Sequence, residues 1–203
     1  MGTVQRRVCR TLGPLMARWG FYLGGGTALA LHLGHRRSVD LDWFTEAPIA
    51  DPLRLAQDVR DEGVAFVTGR VERGTLHGAV SGVRVSLLEY RYPFLKRPIF
   101  WADMECRVAA LEDLACMKLA AVTQRGAKKD FMDIYALGLQ RIPLQKMLRL
   151  YQQKYAIQDI AHVLYGLVYF QDADKERMPT LLWRAHWRAI KKTIQQWVST
   201  ETR

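Results

Sequence analysis

Asp40 and Asp42 stand one residue apart in Val39-Asp40-Leu41-Asp42-Trp43-Phe44, where acidic and apolar side chains alternate. Successive side chains of an extended chain point to opposite faces, so the alternation predicts a strand with both carboxylates on one face. Such a pair suits Mg²⁺, which takes oxygen ligands and commonly combines one or two carboxylates with substrate phosphates. Acids alternating along a surface strand also occur for solubility alone, so the surrounding sequence has to decide. Upstream, Phe21-Tyr22-Leu23 runs into Gly24-Gly25-Gly26-Thr27. That is a strand turning tightly into a helix, with Thr27 expected as its cap and Gly34 as its end. Backbone N–H groups and a hydroxyl at a helix start could face an anion while the carboxylates hold its metal. The glycines match neither G-x-x-x-x-G-K-[ST] nor G-x-G-x-x-G, which disfavours a P-loop kinase and a dinucleotide enzyme.

The elements that must position these residues follow from periodicity. Val4, Val8, Leu12, Leu15 and Trp19 recur at helical spacing, with Gly13-Pro14 expected to kink or break the segment. Residues 51–62 predict a helix with Pro52 in its first turn, followed by strands at 65–71, 75–81 and 83–90 joined by glycine-containing turns. After a proline-bearing connection and a short run near 106–109, helices are predicted at 111–125, 128–139, 144–155, 160–170 and 180–198, with 171–179 a polar break. These patterns divide the chain into an α/β core over 1–110 and a helical part over 111–203.

Two separated blocks carry a resemblance. YLGGGTALALHLGHRRSVDLDWF and, downstream, LEDLACMKLAAVTQRGAKKDFMDIYAL resemble the AbiEii/AbiGii nucleotidyltransferase-like proteins of the polymerase-beta-like nucleotidyltransferase superfamily. The match runs roughly from Phe21 to Leu139 and implies an α+β fold, a mixed sheet flanked by helices with a helical C-terminal part. It implies that Asp40 and Asp42 bind Mg²⁺, that Gly25, Gly26 and Thr27 hold a nucleoside triphosphate, and that Lys118 contacts the nucleotide. It also implies that Asp130, with Asp133, completes the site as an acid/base or orienting group. Lys118 and Arg125 lie about two helical turns apart, which would bring both to one cationic face. Arg36 and Ser38 belong to the first block and could border the phosphates. Many superfamily enzymes add a third carboxylate from a later strand, for which Glu89 is the candidate.

The activity so implied is transfer of a nucleoside monophosphate from an NTP to a hydroxyl acceptor. Members of this group include toxins of toxin–antitoxin systems, some acting on tRNA ends, so tRNA or other RNA and a cognate antitoxin are the implied partners. A small-molecule acceptor, or a non-catalytic nucleotide- or RNA-binding role, stays open.

Composition sets the outer limits. An apolar share of 49% and a charged share of 25% over 203 residues fit a folded globular chain. A formal charge of +10 attracts polyanions. Arg184, Arg188, Lys191 and Lys192 form a basic stripe that could carry an RNA backbone, beside a helical row of Trp183, Trp187, Ile190, Ile194 and Trp197. Cys9, Cys106 and Cys116 have neither disulfide-framework nor zinc spacing. No run reaches the roughly 20 apolar residues of a membrane span and no secretory signal opens the chain, so a cytoplasmic location is expected.

Overall fold

The computed structural model describes residues 1–201 and divides into two compact units. One comprises Met1–Ala28, Ser38–Pro93 and Arg97–Ala110; the other comprises Leu29–Arg37, Phe94–Lys96 and Leu111–Arg203, whose last two residues lie outside the description.

The first unit opens with helix α1 (Thr3–Arg18), strand β1 (Tyr22–Leu23) and the start of helix α2 (Gly25–Leu33), then β2 (Leu41–Thr45) and helix α3 (Pro52–Asp61). Strands β3 (Phe66–Glu72), β4 (Thr75–Val80) and β5 (Val83–Glu89) follow, then β6 (Ile99–Trp101), a 3₁₀ turn and β7 (Cys106–Val108). The strands form one mixed seven-stranded sheet in the order β3-β4-β5-β2-β1-β7-β6. β2 runs parallel to β5 and antiparallel to β1. Asp51 caps α3 as its position before Pro52 requires, its carboxylate accepting from the N–H groups of Leu53 and Arg54 at 3.0 Å. Ser81 and Gly82 both have positive φ and join β4 to β5 in a two-residue turn that matches strand twist. Leu41, Trp43, Leu76, Val85 and Leu87 are buried on one sheet face.

α1 corrects the expected break, for it runs unbroken through Gly13 and Pro14. Pro14 lies on the exposed side, where the missing hydrogen bond leaves Arg10's carbonyl to water. Gly13 lies where a Cβ would come within 2.3 Å of the Met104 carbonyl, so its absence of a side chain lets helix and 3₁₀ turn touch. The buried face is Gln5, Val8, Cys9, Leu12 and Met16 rather than one through Val4, which is exposed. Strand β6 was not legible in its proline-flanked surroundings.

The second unit holds the rest of α2 and helices α4 (Leu111–Arg125), α5 (Lys128–Gln140), α6 (Leu144–Tyr155), α7 (Ala161–Val168), α8 (Gln171–Lys175) and α9 (Trp187–Glu201). Two expectations need correction. α7 stops at Val168 and α8 forms within the expected polar break. The final helix begins at Trp187, not near 180, because that segment pairs with backbone from the α2–β2 connection. Arg37 N–H donates to the Thr180 carbonyl at 2.9 Å, Leu182 N–H to the His35 carbonyl at 2.9 Å, and Leu181 bridges Arg36. Trp183 thus leaves the helical row and sets its ring edge-on to His35. The three cysteines are buried free thiols, and burial pushes Cys116 up to about 12. No helix of the described residues is long and apolar enough to cross a membrane.

Candidate active site

In the sheet unit, Asp40 ends the connection into β2 and Asp42 lies on the strand itself. Leu41 and Trp43 are fully buried while Asp40 and Asp42 remain half-buried, so the acids share the other face. Asp40 accepts from Nε of the exposed Arg84 at 2.7 Å. The N-terminus of α2 approaches the same strand. Gly24 N–H donates to the Asp42 carbonyl at 2.8 Å, and Gly25 has φ +61°. A Cβ at Gly25 would lie 2.6 Å from Asp42 Oδ2. That glycine is therefore required twice, by its left-handed backbone and by the carboxylate against it.

Thr27 is not the cap but the third residue of α2, and it is buried. Its hydroxyl donates to the Asp40 carbonyl and accepts from Gln5 Nε2 at 3.3 Å. The same Gln5 amide reaches the Asp40 carbonyl at 3.3 Å. Thr27 and Gln5 thus fasten helix start, acid-bearing strand and α1 to one another. Gln5 was missed, although a polar residue at the phase of Cys9, Leu12 and Met16 on an otherwise apolar helix face was a readable sign. The N–H groups of Gly25, Gly26 and Thr27, at the first turn of the helix, have no intrahelical acceptor. Ser38 is half-buried two residues before Asp40.

Strand register settles the third carboxylate. Asp42 stands beside Ser86 on β5, and Ser86 stands beside His77 on β4, with His77 Nδ1 3.1 Å from Ser86 Oγ. Glu89 pairs with Thr45, on the face opposite Asp42. Its Oε2 accepts from the Ile49 N–H at 2.8 Å, and that bond, with Arg91 beside it, holds the carboxyl below its usual range. Glu89 therefore lies on the face opposite Asp42, whose neighbour on β5 is Ser86. No cluster of three His, Cys, Asp or Glu suited to a metal ion occurs among the described residues. The donors offered are two carboxylates beside unpaired amide N–H groups. That set fits Mg²⁺ carried in with a substrate's phosphates, since this ion keeps several waters and needs few protein ligands.

The second block folds within the helical unit into a buried ionic cluster. Lys118 on α4 places its ammonium 2.9 Å from Asp130 Oδ1 and 2.8 Å from Asp133 Oδ2, both carboxylates being fully buried on α5. Arg125 grips Asp130 with two hydrogen bonds of 2.7 and 2.9 Å. Arg36 grips Asp133 likewise at 2.6 and 2.8 Å, and His35 Nε2 lies 2.6 Å from Asp133 Oδ1. Burial alone would raise both carboxyls, yet Lys118 with Arg125 at Asp130, and Lys118 with Arg36 and His35 at Asp133, hold them below their usual range. Burial likewise works against charge on Lys118 and Arg36, and the two carboxylates more than reverse it. Three cations against two carboxylates leave one positive charge. Of these cations only Arg125, 54% exposed, presents a guanidinium to solvent. Lys118 and Arg125 do meet, as the helical spacing required, but at a shared carboxylate. His35 Nδ1 and Trp183 Nε1 are buried without a hydrogen-bond partner among the described residues.

The chain is 38% identical over 160 residues to the uncharacterized protein aq_aa25 of Aquifex aeolicus (strain VF5), covering 77% of this chain and 76% of that one. Its fold is similar to MenT4, nucleotidyltransferase toxin Rv2826c of Mycobacterium tuberculosis H37Rv, with a TM-score of 0.61 and 15% identity over 97% of this chain and 83% of that one. It is also similar to the antibiotic-resistance factor ANT(2'')-Ia, with a TM-score of 0.52 and 15% identity over 77% of this chain and 95% of that one. The family described as nucleotidyl transferase AbiEii toxin, type IV toxin–antitoxin system, matches residues 17–199. With nine-tenths of its length matched and the glycine turn, acid pair and second block in place, the chain belongs to the AbiEii nucleotidyltransferase toxin family.

Proposed function

We propose that this chain transfers a nucleoside monophosphate from an NTP to a hydroxyl acceptor, with Mg²⁺ bound by Asp40 and Asp42. The observation that carries this reading is the seat of Asp42 against Gly25, which sets two carboxylates beside the amide end of α2. The N–H groups of Gly25, Gly26 and Thr27 receive the triphosphate, and the metal, when bound, neutralises phosphoryl charge and acidifies the attacking hydroxyl. The acceptor oxygen bonds to the α-phosphorus, the bond to the bridging oxygen breaks, pyrophosphate leaves and the hydroxyl proton passes to solvent. The chain itself contributes position and charge.

In this reading Lys118 keeps Asp130 and Asp133 ionised, and Arg125 is the cation of the cluster that offers a guanidinium to an anion from solvent. A carboxylate held below its usual range is a weak base, so Asp130 orients Arg125 rather than moving a proton. Arg36 and Ser38 lie in the connection just before Asp40 in sequence, and Arg36 acts through Asp133. The acceptor is an RNA end, such as that of tRNA, or a small molecule, and the toxin family adds a cognate antitoxin as partner. A second reading, nucleotide binding without turnover, draws on the neighbour of Asp42 on β5 being Ser86 and not an acid.

The test is to incubate the protein and its Asp40→Ala,Asp42→Ala variant with Mg²⁺, each labelled NTP, and tRNA or an aminoglycoside. Label on an acceptor only with the unaltered protein supports transfer. Mg²⁺-dependent NTP binding without label supports the binder, and loss of both defeats the two readings together.

A further inference from the structure

Positive charge is unevenly divided along the chain. The helical unit has eighteen Lys and Arg against nine Asp and Glu, an excess of nine, whereas the sheet unit has twelve against eleven. Together these account for the formal +10. Within the helical unit the buried acids Asp113, Asp130 and Asp133 are matched by the buried cations Lys154, Lys118 and Arg36, so the excess of positive charge lies at the surface.

Three of the unit's cations, Arg188, Lys191 and Lys192, lie on α9. Ile190, Ile194 and Val198 are the buried side of this helix, and Arg188, Lys192, Gln195, Gln196 and Ser199 line its outer side. Arg188 and Lys192 are one turn apart, and Arg184 lies just before the helix on an exposed segment. Asp174 on α8 is the acid at hand, and it is taken: Lys191 Nζ lies 2.8 and 3.0 Å from its two oxygens, and Trp187 Nε1 donates to it at 2.5 Å. Lys191 is therefore neutralised, while Arg184, Arg188 and Lys192 have no ion pair among the described residues. From Trp187 to Thr200 the helix carries no acid at all.

We infer that the outer side of α9, with Arg184, Arg188 and Lys192, is a docking surface for the phosphodiester backbone of a polynucleotide. The chemistry favours this occupant over a protein. Protein interfaces bury aromatic and apolar anchors at their centre. The outer side of α9 itself presents cations, amides and a hydroxyl, the donors that bind phosphate and sugar oxygens, with Val168, Phe170 and the paired Asp174 at its margin. The inference rests on the proposed transfer only in treating the bound polynucleotide as the acceptor; binding itself does not depend on it.

The test is the salt dependence of binding to bulk tRNA and to single-stranded DNA of similar length, with Arg184→Gln,Arg188→Gln,Lys192→Gln compared with the unaltered protein. Each phosphate contact contributes about 0.7 to the slope of log K against log salt on a single strand and about 0.9 on a duplex, so losing three flattens it by roughly 2 to 3. Binding at low salt is expected to weaken at least ~10-fold, with unchanged thermal stability because all three side chains are exposed. Preference for tRNA or DNA names the source of the backbone. Arg6→Gln,Arg7→Gln serves as the rival, since α1 also exposes arginines. Unchanged affinity and slope in the α9 variant, or an equal loss in the α1 variant, overturns the inference. The Asp40→Ala,Asp42→Ala variant is expected to bind tRNA normally while losing Mg²⁺·NTP, so a failure of the transfer reading shows itself separately.

Discussion

Lys118 shows how one residue can be indispensable for reasons other than touching a ligand. Its ammonium is buried against two fully buried carboxylates, and removing one partner from such a pair costs about 3–5 kcal/mol because the other charge is stranded. Lys118→Ala should therefore lower Tm by roughly 10 °C in a chain of this size, which differential scanning calorimetry would register. Loss of activity in that variant would then say little about catalysis. The cluster also predicts a pH response. Asp130 and Asp133 have folded values below their unfolded ones. Their contribution is thus complete above the ordinary aspartate value of about 3.9 and is lost as pH falls below it towards the depressed folded values. Acid unfolding followed by circular dichroism should set in at higher pH for Asp133→Asn, where part of that ionic contribution is already gone. Gly25 is the other critical residue: Gly25→Ala forces a left-handed alanine and displaces Asp42. We expect a stability loss of about 1 kcal/mol but an NTP-transfer rate reduced well beyond what unfolding explains.

At the level of elements, β2 and the start of α2 form the scaffold of the acid pair, and a handful of side chains fix their spacing. Gln5 and Thr27 converge on the Asp40 carbonyl, so Gln5→Leu should leave α1 folded yet loosen the strand that carries the acids. Its signature is a raised KM for Mg²⁺·NTP with secondary structure retained. In the helical unit α5 and α9 meet at Gly138, where a Cβ would come within 2.4 Å of the Trp197 ring. Gly138→Ala should cost about 1–3 kcal/mol by overpacking, read as a shifted urea midpoint. Elements with strong local signals were legible: α3 with its Asp51 cap and Pro52, the β3–β5 meander with its glycine turns, and α4 to α6. Those that failed answer to distant partners. Residues 180–186 have helical spacing, but the backbone groups of His35 and Arg37 capture them, and α1 keeps Pro14 because tertiary packing outweighs one lost hydrogen bond.

For the whole molecule, ligand linkage is the informative quantity. If Asp40 and Asp42 seat Mg²⁺·NTP, saturation at 100-fold over Kd stabilises the chain by about 2.7 kcal/mol, a rise of roughly 5–10 °C in Tm. EDTA, or Asp40→Ala,Asp42→Ala, should abolish that rise in a thermal-shift assay. The sequence by itself determined the family, the acid pair on one strand face and the glycine turn before it, because these are local: alternation puts Asp40 and Asp42 together whatever the rest of the chain does. It also determined the +10 charge, though not its concentration in one unit. Only tertiary structure decided that Ser86, and not Glu89, stands beside Asp42, since a strand's neighbour and register depend on long-range pairing. It alone decided that Lys118, Asp130 and Asp133 are spent on one another. Sequence spacing shows which groups share a helix face, but not whether that face meets water or another helix, and it is burial that turns charged side chains into partners.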